Sequence, residues 1–301
     1  MKLNRLTLRN KSLVERFLKL SSHELAVYSF ADIYIWKGLF RIYWALVQES
    51  LCIFFKDNFG IFLYLGPLTK KLTPGLVQEI FKTLDGLNKN KEISRIENVE
   101  EKDLDFYRSL GLSIEKKSSD YLCARSDLAE LKGNKFKSKR SSKNYFLKHN
   151  EFQVDSLKNS HRNECLNLYH AWAKQRAKLN CDHVYQGMLE DSFSALKVLL
   201  RNFDSLGCEG LVVKVRGKVR AFTVGYKLNR QTFCVLYEVA DLSFKGIAQF
   251  IFQEFCVRAK NFKYINVMDD SGLKNLEQVK FSYKPLRLIP ALIVKKNGQA
   301  N

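Results

Sequence analysis

The stretch that decides the fold of the second half of the chain lies between Gly210 and Met268. It contains three strand-like runs, GLVVKV (210–215), VRAFTVGYK (219–227) and TFCVLYEV (232–239), followed by FKGIAQFIFQEFCVRAK (244–260) and YINVM (264–268). Short turns of hairpin type separate the first three runs, and the fourth run has the length of a helix. We therefore predict an antiparallel meander, a helix and a further strand.

The predicted helix at 244–260 connects the strands at 232–239 and 264–268. A connection of this kind makes the two strands parallel neighbours in one sheet. Ligands of such sheets bind outside the carboxyl ends of the parallel strands. We therefore expect the functional site close to the end of the strand at 232–239.

The remaining elements of this half follow from the same periodicity rules. They are a strand at 152–156, helices at 162–179 and 185–202, a short helix at 273–280 and a last strand at 287–294.

The first half shows a looser version of the same order. Ser21 and Glu24 stand at capping-box spacing before an amphipathic run at 25–40, which predicts a first helix. The other predicted elements are strands at 41–47, 51–56 and 61–65, a helix from Thr73-Pro74 to 87, a helix from 100 to Gly111, strands at 112–115 and 120–124, and a basic helix within 132–148.

Length and composition indicate an ordered, two-domain globular protein. The 301 residues suit two domains, which we place at 1–150 and 151–301, and a content of 46% hydrophobic and 27% charged residues excludes a disordered chain. The 50 basic and 31 acidic residues give a net charge of +19. This charge attracts anions such as nucleic acid, acidic lipid or phosphorylated cofactors, although a basic surface that only promotes solubility is the alternative.

The cysteines and histidines do not predict a metal site. The seven cysteines form no CxxC pair and the five histidines show no ligand spacing, so we expect neither metal nor disulfides. No apolar run approaches the roughly 18 residues of a membrane span, and the N-terminus lacks a signal-peptide pattern. We expect a cytoplasmic protein that could visit the inner membrane surface.

Three groups of motifs resemble one bacterial family. The first group is FADIYIW (30–36), LCIF (51–54) and LGP (65–67); the second is DYL (120–122), DLAELKGNKF (127–136), KR (139–140) and NYF (144–146); the third is EVAD (238–241), FKGIAQ (244–249) and KFSYKP (280–285). Together, in this order, they resemble the family named for the phosphatidylglycerol lysyltransferase C-terminal domain.

This resemblance implies an α/β (α+β) fold of two tandem GNAT-like (acyl-CoA N-acyltransferase) domains, each a mixed, mainly antiparallel sheet flanked by helices. It also implies similarity to the domain that moves lysine from lysyl-tRNA to phosphatidylglycerol, and to the peptidoglycan-bridge aminoacyl transferases. The transmembrane flippase of lysyl-phosphatidylglycerol synthases has no counterpart in this sequence, which weakens the case for a lipid acceptor. The chain departs from the family at Val267, Met268, Asn275 and Glu277, which leaves open a different substrate or a loss of activity.

Two acidic residues at the end of the strand at 232–239 are the candidate catalytic groups. Glu238 and Asp241 could bind a substrate ammonium or transfer a proton. Alternatively, Asp241 caps the following helix and Glu238 pairs with a neighbouring lysine.

Further candidates for substrate binding lie in and after the next helix. Lys245-Gly246 stands where acetyltransferases receive pyrophosphate on backbone N–H groups, but a single glycine weakens the case for CoA and favours a bulkier donor such as aminoacyl-tRNA. Asp269 and Asp270 could bind a cation or start a solvated helix. Lys280 and Tyr283 could contact a carboxylate or phosphate, although Tyr283 could equally serve in packing.

The segment 132–148 is the candidate anion-binding surface. Its basic residues are Lys132, Lys135, Lys137, Lys139, Arg140, Lys143 and Lys148, interleaved with aromatic side chains. Such a pattern suits tRNA or anionic lipid headgroups, and a solvated linker is the alternative.

The leading hypothesis is an acyl or aminoacyl transferase whose donor is aminoacyl-tRNA or acyl-CoA and whose acceptor is an amine or hydroxyl. The second is a non-catalytic protein of this fold that binds nucleic acid, lipid or another anionic partner. The third is a CoA-dependent N-acetyltransferase.

Overall fold

A computed structural model describes residues 2–180 and 182–297, which form two compact units of strands and helices. The first unit comprises residues 2–120, Asp269–Gly272 and residues 288–297; the second comprises Tyr121–Met268 and Leu273–Arg287. The first long segment therefore ends at residue 120, and the C-terminal part of the chain contributes to both units. The assignment of two domains to 1–150 and 151–301 stays a prediction.

The first unit contains a mixed sheet with helices, and all elements are numbered along the whole chain. They are β1 (Asn4–Arg5), α1 (Lys11–Leu18), α2 (Phe30–Ile35), β2 (Arg41–Val47), β3 (Ser50–Lys56), β4 (Ile61–Leu63), α3 (Pro74–Leu87), β5 (Arg95–Glu100), α4 (Leu104–Ser109), β6 (Ser113–Ala124) and β12 (Arg287–Lys295). Of β6 this unit contains the residues up to Asp120, and of β12 the residues from Leu288. The strands lie in the order β1-β2-β3-β4-β5-β12. β2, β3 and β4 form the predicted antiparallel meander, and β4 pairs in parallel with β5.

Helix α3 forms as the sequence predicts. The Thr73 side chain accepts a hydrogen bond from the backbone N–H of Leu76 at 3.2 Å, and Pro74 occupies the first turn, where its missing N–H has no consequence. The buried side chains of α3 recur at helical spacing and join the core of the unit; they are Leu76, Val77, Ile80, Phe81 and Leu84. Fully burying one such side chain stabilises the fold by about 1.5–3 kcal/mol.

The helix predicted at 25–40 is wrong in extent. Only α2 and a short 3-10 turn after it are helical, and α1 is an additional helix that we did not predict. The N–H groups of Glu24 and Ala26 donate instead to the carboxylates of Glu100 and Asp120, both at 2.7 Å. Because these carboxylates already take the N–H groups, the segment before α2 is not helical and contains a turn in which the Tyr28 N–H donates to the Leu25 carbonyl oxygen.

Two smaller predictions in this unit also need correction. The helix predicted from residue 100 begins with a 3-10 turn at Glu101–Asp103 and continues as α4, while Glu100 ends β5, a strand that the sequence analysis missed. The strands predicted at 112–115 and 120–124 are one continuous strand, β6.

The second unit matches its sequence prediction more closely. Its elements are the end of β6, α5 (Arg125–Glu130), α6 (Lys137–His149), β7 (Phe152–Ser156), α7 (Arg162–Leu179), α8 (His183–Arg201), α9 (Phe203–Leu206), β8 (Glu209–Val215), β9 (Lys218–Lys227), β10 (Thr232–Ala240), α10 (Ile247–Arg258), β11 (Tyr264–Asn266) and α11 (Lys274–Phe281). The strands lie in the order β6-β11-β10-β9-β8-β7. The fold class, a mixed and mainly antiparallel sheet flanked by helices, is confirmed in both units.

The parallel pair β10 and β11 separates before β10 ends. The two strands pair only from Thr232 to Cys234 on β10, opposite Tyr264 to Asn266 on β11, while β10 runs on to Ala240. Residues near the carboxyl end of β10 therefore have no partner on β11. Ligands of such sheets bind in this position.

Candidate functional site

Glu238 lies on β10 beyond the last residue that pairs with β11. The residue is exposed at the surface, and the protein atoms around it still desolvate its carboxyl in part. This desolvation raises the pKa of Glu238 to about 7, although the ammonium groups of Lys139 and Lys280 oppose the shift. A carboxyl with such a pKa can take up and release protons near neutral pH.

Lys139 and Lys280 supply positive charge close to Glu238. Lys139 comes from α6, and its Nζ lies 4.1 Å from the centre of the Tyr283 ring. Burial lowers the pKa of Lys139, and the charge of Glu238 opposes that shift. Lys280 comes from α11 and donates to the backbone carbonyl oxygens of Val267 and Met268, the latter at 3.2 Å.

Tyr283 is the most buried member of this group. Its ring packs against Phe252 with a centroid distance of 4.6 Å, and burial, followed by the charge of Glu238, raises the pKa of its hydroxyl. The structure thus brings Glu238, Lys139, Lys280 and Tyr283 together, and we call these four residues the Glu238 site. It combines a proton acceptor with two cations.

Asp241 does not join this site. The side chains of Glu238 and Asp241 are three positions apart at the end of β10, which places them on opposite faces. The Asp241 carboxylate accepts hydrogen bonds from Arg220 at 3.1 Å, from the Ser243 hydroxyl at 2.6 Å and from the Ser243 N–H at 3.1 Å. Its oxygens are therefore held within the protein, and its catalytic role stays a prediction.

Gly246 has a packing role that accounts for the glycine. It precedes α10 with φ of +89°, and an added Cβ would overlap the backbone carbonyl oxygen of Ser142 on α6. The start of α10 is thus in close contact with α6, in the place where pyrophosphate was expected. Lys245 extends over the ring of Tyr145, with its Nζ 4.7 Å from the ring centre. Substrate binding by Lys245 and Gly246 stays a prediction.

Asp269 and Asp270 belong to the first unit rather than to the Glu238 site. Each accepts a hydrogen bond from the N–H two residues later, Ser271 and Gly272 respectively, as in a turn. The charge of Asp269 also acts on the buried Asp32 of the same unit. Cation binding by these two aspartates remains untested.

Most of the predicted anion-binding residues have partners inside the second unit. Lys132 pairs with Glu130 and Lys135 with Asp127, both at 2.6 Å. Arg140 donates to the carbonyl oxygens of Leu131 and Gly133, where the chain turns before α6. Lys143 is half-exposed on α6, between the exposed residues Lys137 and Lys148.

The positions that depart from the family fall in two places. Val267 and Met268 present their backbone carbonyl groups to Lys280, so their side chains are not needed for that contact. Asn275 and Glu277 are exposed on α11.

Asp32 is a candidate functional residue that the sequence analysis did not select. It is 1% exposed, and its Oδ1 accepts a hydrogen bond from the Tyr64 hydroxyl at 2.9 Å. Burial is the main reason why the pKa of Asp32 rises to about 7. The only sequence signal was an aspartate within the apolar run FADIYIW.

The part of the chain that the structure describes contains neither a metal-binding cluster nor a helix that could cross a membrane. Within residues 2–180 and 182–297, no group of three or more His, Cys, Asp or Glu side chains is arranged to hold a metal ion. None of the helices in this part of the chain has both the length and the apolar character needed to cross a membrane.

Comparison with solved structures identifies the fold. A conserved protein of unknown function from Bacteroides thetaiotaomicron superposes with a TM-score of 0.88 at 24% identity, covering 99% of this chain and 100% of that one. L-PGS from Bacillus licheniformis gives a TM-score of 0.68 at 14% identity, covering 96% and 92%. A tandem GNAT protein from the clavulanic acid biosynthesis pathway gives 0.51 at 8% identity, covering 97% of each chain. The predicted tandem GNAT-like fold is confirmed.

Sequence comparison is more specific about the family. No curated protein matches the chain. Residues 19–294 match the family described as "Phosphatidylglycerol lysyltransferase, C-terminal". This match covers nearly the whole chain and includes all three groups of motifs, so the protein belongs to the phosphatidylglycerol lysyltransferase C-terminal domain family.

Proposed function

We propose that the protein transfers an acyl or aminoacyl group to an amine or hydroxyl acceptor, with Glu238 as the proton acceptor. Family membership and the tandem GNAT-like fold support a transferase of the acyl or aminoacyl kind. The observation that carries the proposal is Glu238 itself, a carboxyl with a pKa of about 7 at the open end of β10, beside two lysines.

The chemistry follows from this arrangement. The acceptor nitrogen or oxygen attacks the donor carbonyl carbon, and its proton passes to Glu238. Lys139 and Lys280 stabilise the negative charge that develops on the carbonyl oxygen. The bond between the carbonyl carbon and the leaving group then breaks, and Glu238 returns the proton to the departing oxygen or sulfur.

The donor that we favour is aminoacyl-tRNA rather than acyl-CoA. The start of α10, which would receive the pyrophosphate of CoA, is in contact with α6 through Gly246 and Ser142. Aminoacyl-tRNA and acyl-CoA are both made in the cytoplasm, which is where we place the activity, either free or at the inner membrane surface.

A second candidate function, non-catalytic binding of an anionic partner such as tRNA or lipid headgroups, is supported by the outer side of α6. Lys137 and Lys148 are exposed there and Lys143 is half-exposed. Their charge would attract nucleic acid or anionic lipid without any need for the Glu238 site.

The test measures the rate at which candidate donors lose their acyl group. We expect the purified protein to accelerate deacylation of a mixed aminoacyl-tRNA pool in the presence of amine acceptors, and Glu238→Gln to slow this by about 100-fold. Glu209→Gln, which changes an exposed glutamate of the same sheet, is the matched control and should leave the rate unchanged. Absence of acceleration with aminoacyl-tRNA and with acetyl-CoA would remove the transferase proposal and leave the anion-binding one.

A further inference from the structure

The second unit contains a cavity of about 380 Å³ on the Asp241 side of β10. We call it the α7 cavity, because one side of α7 forms its wall and the start of β9 and the end of β10 form its floor. Its polar and aromatic lining includes Asn167, Trp172, Gln175, Lys218, Arg220 and Asp241. Its volume lies at the lower end of the roughly 300–1,000 Å³ that small-molecule sites occupy.

The acidic residues of this cavity are already engaged. Glu164 accepts a hydrogen bond from the backbone N–H of Val219 at 3.0 Å, and Asp241 accepts from Arg220 and Ser243. The groups left for a ligand are therefore mainly the cations and the side-chain amides.

The surroundings of Arg220 suit a ligand that carries an oxygen acceptor. Its Nη1 donates to Asp241 at 3.1 Å, and its guanidinium centre lies 5.3 Å from the centre of the Phe244 ring. Its Nε is buried and has no hydrogen-bond partner among the described residues. The Arg220 side chain is 33% exposed, and a phosphate or carboxylate oxygen is the acceptor that a guanidinium group binds most strongly. Lys218 lies beside it as a second cation.

The other end of the cavity suits a planar ring. Trp172 is half-buried, and Leu168 and Ala171 of α7 extend the apolar wall. Aromatic side chains bind bases by stacking, and amides such as Asn167 and Gln175 can donate to and accept from the edge of a base.

We propose that the α7 cavity binds one nucleotide, with the base against Trp172 and the phosphate at Arg220 and Lys218. Two kinds of ligand contain such a nucleotide: a free mononucleotide, and an RNA chain through its terminal nucleotide. This proposal does not depend on transfer at the Glu238 site.

The test is a titration of the full-length protein with AMP, and separately with a single-stranded RNA oligonucleotide, followed by calorimetry and tryptophan fluorescence. We expect binding of at least one of them to fall at least tenfold in Trp172→Leu and in Arg220→Lys, which keeps the charge but loses the planar guanidinium donors. Arg230→Lys, at an exposed position in the loop between β9 and β10, is the matched control. Glu238→Gln should bind as the wild type does, which separates this proposal from the proposed transfer.

The outcomes decide both the proposal and the source of the nucleotide. Trp172-dependent binding of AMP supports a free nucleotide, and Trp172-dependent binding of the oligonucleotide alone supports an RNA end. Circular dichroism and thermal unfolding identify any variant that has lost its fold. If neither ligand binds, or if folded Trp172→Leu and Arg220→Lys both bind like the wild type, the proposal is wrong.

Discussion

At the scale of single residues, the described part of each unit contains a carboxyl whose pKa lies near 7. Glu238 lies beyond Cys234, the last residue of β10 that pairs with β11, and Asp32 contacts Tyr64, which directly follows β4. Both β4 and β10 are the first strand of a parallel pair. The two carboxyls differ in access to solvent, because Glu238 reaches it and Asp32 is fully buried.

Asp32 makes the stability of the fold depend on pH. Its pKa is about 7 in the folded protein and close to its ordinary value of 3.8 when unfolded, so the folded state holds the proton more tightly. The free energy of unfolding should therefore fall as the pH rises from about 4 to 7 and show no further loss from this group above 7. The hydrogen bond from Tyr64 and the charge of Lys117 lower the pKa of Asp32, whereas the charges of Asp120 and Asp269 raise it.

We predict that Asp32→Asn reduces this pH dependence, so that the variant gains stability relative to the wild type by a few kcal/mol between pH 5 and pH 8. Urea unfolding at several pH values measures the effect. Asp105→Asn is the control, because Asp105 is almost fully exposed and should leave the slope unchanged. An identical slope in Asp32→Asn and wild type would contradict the account.

Sequence reasoning selected Glu238 as a candidate and did not select Asp32, for a physical reason. Glu238 ends a strongly apolar strand, so its position relative to the sheet could be predicted from local periodicity alone. Asp32 owes its burial to Tyr64, 32 positions away, and to the tertiary packing of its short helix. Contacts at such a separation leave no periodic signal.

At the scale of elements, the contact between α6 and α10 depends on Gly246. We predict that Gly246→Ala destabilises the protein by about 1–2 kcal/mol from its positive φ and by about 1–3 kcal/mol more from overlap with Ser142. Gly111→Ala is the matched control, since Gly111 has φ of +69° but no atom within 4 Å of the added Cβ. Urea unfolding gives both values. Equal losses would show that the contact with α6 is unimportant.

The outer side of α6 should govern binding of anions. We predict that changing Lys137, Lys143 and Lys148 to glutamine weakens binding to RNA or anionic vesicles and flattens its salt dependence, because none of the three is ion-paired in the described part of the chain. The control is Lys132→Gln with Lys135→Gln, whose charges already pair with Glu130 and Asp127. Binding measured at two salt concentrations distinguishes the sets. A larger effect of the control pair would contradict the prediction.

Elements with strong local signals were predicted well. The N-cap Thr73 and Pro74 set the start of α3, and the bounds of α7 and β7 match the prediction. The segment before α2 was predicted as helix because its capping-box spacing is a local signal, whereas its backbone N–H groups bond to the distant Glu100 and Asp120.

At the scale of the whole molecule, the chain is not divided simply in sequence. Asp269–Gly272 and the described part of β12 beyond Arg287 belong to the first unit, although they follow most of the second in sequence. Length and composition predicted two domains that follow one another in sequence, and that assignment stays a prediction. They could not predict this interleaving, because only tertiary contacts decide which unit receives a C-terminal strand.

The central claim is that Glu238 accepts the proton in an acyl transfer reaction. The most direct measurement is the single-turnover rate of transfer from aminoacyl-tRNA to an amine acceptor as a function of pH. We predict that the wild-type rate rises with an inflection near the pKa of Glu238, about 7, and that Glu238→Gln is about 100-fold slower without this inflection. A Glu238→Gln variant with the wild-type rate and the same inflection would contradict the claim.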